Sequence, residues 1–91
     1  MLMYYDWDEE KNNLLKSERN ISFEQIIVEI INGNLLDVLE HPNQQKFPNQ
    51  LMYIVRSEDY VYCVPFVSNK EKIFLKTIYP SRKFKKLYEQ K

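Results

Sequence analysis

The sequence predicts an α+β domain, with two N-terminal helices packed on an antiparallel β-meander and a short basic helix at the C-terminal end. Three observations lead there. Apolar residues recur at helical spacing as far as Ile31 and then at alternate positions after Gly33. Ser22 with Gln25 has the form of a capping box ahead of that helical stripe. Downstream, Leu51–Arg56, Tyr60–Val67 and Lys72–Tyr79 are β-rich runs separated by the short polar turns Ser57-Glu58-Asp59 and Ser68-Asn69-Lys70-Glu71.

Each element has its own signal. Leu2-Met3-Tyr4-Tyr5 is a brief strand, closed by Asp6-Trp7-Asp8. Asp8 caps a first helix, whose dipole Glu9 and Glu10 complement; it runs to about Glu18 and, polar apart from Leu14 and Leu15, is expected on the surface. In the second helix Ile21 and Ile26 form a hydrophobic staple, and Phe23, Ile26, Ile27, Ile30 and Ile31 form the core stripe. Gly33, the only glycine, suits the left-handed position that ends it. Leu35–Glu40 is a strand, followed by a non-helical loop, His41 to Asn49, that holds two prolines. Pro65 belongs at an edge or a bulge, because it has no N–H for a ladder. The last element runs through Tyr79-Pro80-Ser81 into a helix with Phe84, Leu87 and Tyr88 on one side and Arg82, Lys83, Lys85 and Lys86 crowding its first turns.

Ninety-one residues make one domain, 1–91, long enough for a modest core. With 44% hydrophobic and 14% aromatic residues the chain has the composition of a folded protein. One cysteine, Cys63, leaves no internal disulfide and no multi-cysteine metal cluster, and within an apolar run it reads as a buried, inert thiol. No signal peptide or membrane-length apolar stretch is present, so the expectation is a cytoplasmic protein without membrane association.

Thirteen bases balance thirteen acids, yet the charge is segregated along the chain. Residues 1–40 carry nine acids against Lys11, Lys16 and Arg19, a balance of −6. Residues 70–91 carry eight bases against Glu71 and Glu89, a balance of +6. The basic segment sits where a helix begins, and backbone donors and side-chain cations there suit an anion such as a phosphate.

The residue set narrows the chemistry. A single histidine and the absence of ligand spacings argue for no metal, a single glycine leaves no phosphate loop, and no serine has a nucleophile elbow around it. The expectation is therefore no cofactor. What remains is metal-free phosphodiester chemistry on RNA, in which the substrate's own 2′-hydroxyl attacks. It needs a base, an acid and fixed cations near the phosphorus. Arg82, Lys83, Lys76, Arg56, Tyr79, His41 and Glu40 are the candidates. Arg56 is equally placed to pair with Glu58 or Asp59, and Trp7 reads as a core anchor.

Tyr5-Asp6-Trp7-Asp8-Glu9-Glu10-Lys11, with Ile21-Ser22-Phe23-Glu24 after it and Pro80-Ser81-Arg82-Lys83 near the end, resembles the BrnT-type toxins. That family shows a Trp-Asp turn, a Val/Ile-Ser-Phe-Glu-Glu helix start and a Ser-Ala-Arg-Lys segment before a basic helix. Its Lys-His-Gly is replaced here by Glu18-Arg19-Asn20, so its histidine has no counterpart. The resemblance implies a RelE-like fold and a ribonuclease toxin that cleaves mRNA, with or without the ribosome, and is neutralised by a DNA-binding antitoxin, expected to be of the ribbon-helix-helix type. It assigns Arg82 to the phosphate or transition state. On this reading Tyr79, His41 and Glu40 handle protons, and Lys76, Lys83, Lys85, Lys86 and Arg56 hold RNA. The rival expectation is a non-catalytic module that binds RNA or an acidic protein through the same cations.

Overall fold

The computed structural model describes residues 4–89, and Leu2 and Met3 of the expected first strand lie outside them. The elements are β1 (Tyr4–Asp6), α1 (Glu9–Arg19), α2 (Phe23–Ile31), β2 (Leu35–Glu40), β3 (Leu51–Ser57), β4 (Tyr60–Ser68), β5 (Lys72–Leu75), β6 (Tyr79–Pro80) and α3 (Arg82–Glu89). They form an α+β fold around one mixed sheet in the order β1-β5-β4-β3-β2, with β6 also paired to β4. The pairings are antiparallel except for β1, which lies parallel to β5. No helix among the described residues is long and apolar enough to cross a membrane.

Local chemistry sets the helix ends. Asp8 accepts from the Glu10 N–H at 2.9 Å, and Asn20 ends α1 in the left-handed region at φ 55°. Ser22 caps α2 through the Gln25 N–H at 3.1 Å. The reciprocal half of the expected capping box gives way to another bond, because the Gln25 amide donates to Glu29 Oε2. Gly33 follows α2 at φ 86°.

Two expectations about burial change. Although α1 is largely polar, it buries a stripe: Leu15 is 3% exposed and Asn12 is fully buried, while Leu14 faces solvent. Asn12 joins the two helices by donating to Glu24 Oε1 at 2.8 Å and accepting from the Phe23 N–H at 2.9 Å. Ile31 leaves the core stripe and is 76% exposed. It lies roughly 100° around the helix from the line of Phe23, Ile26 and Ile30, past the surface that the sheet covers.

The sheet is covered on both faces. Against α1 and α2 it presents Tyr53, Val55, Val64, Phe66, Leu75 and Ile78, which meet Leu15, Ile21, Phe23 and Ile26. Trp7 stacks on Phe23 at 5.6 Å, the anchoring contact its size favours. On the other face Met52, Ile54, Val61 and Cys63 pack with Tyr79, Phe84 and Tyr88, so α3 lies opposite the first two helices. Cys63 is buried, and burial pushes its thiol up, as an inert core position requires.

The expected single strand Lys72–Tyr79 is divided into β5 and β6, and the register gives the reason. Leu75 pairs with Phe66 and Tyr79 with Cys63, so three residues, 76–78, oppose two, Val64 and Pro65. This is a bulge, and it falls where Pro65 has no N–H to offer. Pro65 still accepts from the Lys76 N–H at 2.8 Å. The extra residue reverses the alternation, which turns Ile78 into the helix-side core and Tyr79 onto the α3 side.

Candidate nucleic-acid interface

The basic helix is built on a capped turn. Ser81 Oγ accepts from the Phe84 N–H at 3.2 Å, and the Ser81 carbonyl accepts from the Lys85 N–H at 3.0 Å. Phe84 and Tyr88, one turn apart, face the sheet, and the Tyr88 hydroxyl donates to Asp37 on β2. Fixing that face leaves Arg82, Lys83 and Lys86 exposed to solvent. Lys85 is half-buried, pairs with Glu89 and rests its ammonium 5.6 Å from the centre of the Tyr60 ring. Lys83 lies 5.7 Å from the Phe84 ring centre.

The sheet adds to this surface. Arg56 pairs with Val61, a member of the cluster beneath α3, and so shares its face. The Val61 carbonyl accepts from the Ser81 N–H, which places Arg56 and the start of α3 on either side of Val61, about 10 Å apart. Lys76 sits exposed in the bulge with its ammonium 5.5 Å from the Phe74 ring centre. Phe74 pairs with Val67, which alternation along β4 puts on the same side as Val61 and Cys63. None of Arg56, Lys76, Arg82, Lys83 and Lys86 forms an ion pair among the described residues, so the pairing of Arg56 with Glu58 or Asp59 does not occur.

Tyr79 lies within this face. Its hydroxyl donates to Met52 Sδ at 3.4 Å, and burial, with Cys63 alongside, pushes the phenol above its usual value. A phenol held protonated in this way suits a proton donor better than a base.

Glu40 is not part of the cluster, and His41 is engaged elsewhere. Glu40 pairs with Leu51, five residues along β3 from Arg56 and therefore about 17 Å away. Leu51 packs on the helix side, so the register puts Glu40 on the face away from α3. His41 serves its own loop: Nδ1 accepts from the Asn43 N–H at 3.1 Å, and the ring lies 4.5 Å from Phe47. The fold thus gathers Arg56, Lys76, Tyr79, Arg82, Lys83, Lys85 and Lys86 on one side and puts Glu40 on the other, while His41 is engaged within its own loop. No group of three or more His, Cys, Asp and Glu side chains among the described residues is arranged to hold a metal ion.

Sequence reasoning passed over two polar positions and one pocket. Asn12 and Glu29 look like surface residues in the pattern, but both are buried and fully bonded. Glu29 accepts from Gln25, Asn34 and Ser57, and these bonds outweigh its burial and hold the carboxyl below its ordinary value. The pocket, of about 330 Å³, is lined by Arg19, Tyr60, Tyr62 and Pro80 at the root of α3. No family model, curated protein or solved structure matches the chain.

Proposed function

We propose that this protein is the toxin of a type II toxin–antitoxin pair, a RelE-like, metal-independent endoribonuclease that cleaves mRNA in the cytoplasm. The observation that carries the reading is the gathering of Arg56, Lys76, Tyr79 and the α3 cations on one face of the sheet. Arg82 and Lys83 hold the scissile phosphate and offset the charge that grows on its oxygens, and the other cations track the backbone. The RNA 2′-hydroxyl gives up its proton to solvent water and attacks phosphorus. The bond to the 5′-oxygen breaks, and Tyr79 protonates that leaving oxygen. The products are a 2′,3′-cyclic phosphate and a 5′-hydroxyl. A ribbon-helix-helix antitoxin would neutralise the protein by covering this cationic face.

One observation favours a second reading, in which the same face binds RNA or an acidic protein without turnover. Of the two side chains suited to remove the 2′-proton, Glu40 lies on the opposite face of the sheet from Tyr79, and His41 has its Nδ1 engaged by the Asn43 N–H. Incubating labelled mRNA with the protein in EDTA, with and without ribosomes, separates the two. Cyclic-phosphate ends that vanish in Arg82→Ala support the nuclease. Intact RNA in both settings, with salt-sensitive binding retained, leaves the binding module.

A further inference from the structure

We infer that the pocket formed by Arg19, Tyr60, Tyr62 and Pro80 is a nucleobase subsite for single-stranded RNA, which receives a base next to the phosphate held by α3. The inference rests on the RNA-binding reading above and adds the place where a base lodges. The four residues come from three distant parts of the chain: the end of α1, the start of β4, and β6. Tyr62 pairs directly with Pro80, so ring and proline form adjoining walls. Tyr60 and Tyr62 stand 5.8 Å apart with their planes 57° from parallel, a corner that leaves ring surface for a third planar group. The pocket lies on the helix side, where Tyr62 packs, beside β6, and Arg19 donates there through Nη1 to the Ile78 carbonyl. This bond fixes the guanidinium but engages only one of its nitrogens and leaves its charge unneutralised, as it has no carboxylate partner among the described residues.

Charge gives the site a direction. Lys85 spans from α3 to the Tyr60 ring and links the pocket to the cationic helix, and Pro80 precedes Arg82 by two residues. On its other side Tyr62 borders a second pocket where Lys16 and Glu58 offset each other, so no excess of cations draws phosphate that way. A strand with its base against Tyr60 and Tyr62 therefore runs its backbone towards α3. Aromatic faces accept any base, while phosphate contacts alone would not distinguish a base from its absence.

The test is fluorescence anisotropy with labelled octaadenylate RNA and an abasic octamer of equal phosphate number. Wild type should prefer octaadenylate by about five-fold or more. Tyr60→Leu should bring that ratio close to one with an unchanged salt slope, and Tyr60→Phe should keep the preference. Tyr60 belongs to neither core cluster, so the leucine variant leaves the packing in place. Salt-sensitive binding without a preference in wild type, or a preference that survives Tyr60→Leu, would overturn the subsite and leave the RNA-binding face standing. Failure of wild type to bind either oligomer would remove both.

Discussion

The Tyr88 hydroxyl donates to Asp37 Oδ2 at 3.0 Å, a bond between residues 51 apart that ties α3 to the edge strand β2. Oδ1 of the same carboxylate accepts from the Val38 N–H at 2.8 Å. One exposed acid thus holds the basic helix down and occupies a donor on a sheet edge, where unpaired N–H groups invite foreign strands. Asp37→Ala is expected to cost about 1 kcal/mol. Hydrogen exchange should show the α3 amides opening faster, with the β4 amides little changed.

Asn12→Ala should be more damaging than the helix's polar appearance suggests. It leaves the Phe23 N–H without its acceptor in a buried place and removes the donor to Glu24. A loss of about 1–3 kcal/mol is expected from urea midpoints, against almost nothing for Asn13→Ala on the exposed side of the same helix.

Glu29 makes part of the stability acid-sensitive. Burial acts to raise its pKa, but bonds from Asn34, Ser57 and Gln25 outweigh that and hold it below the ordinary 4.5. A depressed folded value stabilises fully above the unfolded one and is lost as pH falls through the folded one. Glu24, lowered chiefly by Asn12, acts in the same sense. Urea midpoints should therefore fall as pH drops below about 4.5. Glu29→Gln should be less stable at pH 7 and show a shallower acid decline.

At alkaline pH the sign reverses. Burial, more than any neighbour, raises Tyr53, Tyr62, Tyr79 and Tyr88 above 10.0. Their neutral forms are favoured in the fold, so stability is complete below pH 10 and is lost as pH rises through the folded values. Tyrosinate absorbance should rise together with unfolding, and Tyr79→Phe should move that transition to higher pH.

Deleting Thr77 tests the bulge. Without the extra residue, straight pairing would set Ile78 opposite Val64, still in the helix-side core, and Tyr79 opposite Cys63, still on the α3 side. The variant should therefore keep its cooperative thermal transition.

Much of the fold was legible because its signals are local. Ser22 caps α2, Gly33 takes the left-handed turn, and β2 has the bounds its alternation gives. The parallel pairing of β1 with β5 was not legible, since nothing in Tyr4–Asp6 specifies a partner 66 or more residues away. Pro65 announced a bulge, but its effect on Ile78 and Tyr79 depends on the register of β4 against two strands at once. Arg82 and Lys83 stand out in the sequence because charge is a property of single residues. That Tyr79 joins them while Glu40 does not is a matter of sheet faces, and His41 is taken up by bonds within its own loop. Arg19 escaped notice because its neighbours, Ile78 and Pro80, come from the far end of the chain.

The crossing of early helices with late strands also has a temporal side. Phe23 and Ile26 share their core with Leu75 and Ile78 as well as with Tyr53, Val55, Val64 and Phe66, and β1 has no strand to join until residues 72–75 exist. During synthesis the first seventy residues can pair β2, β3 and β4 and lay α2 on them, but the sheet and its core stay incomplete until β5 and β6 arrive. The surface that carries the cations is thus the last to be completed, since α3 follows β6 directly and packs on strands already paired.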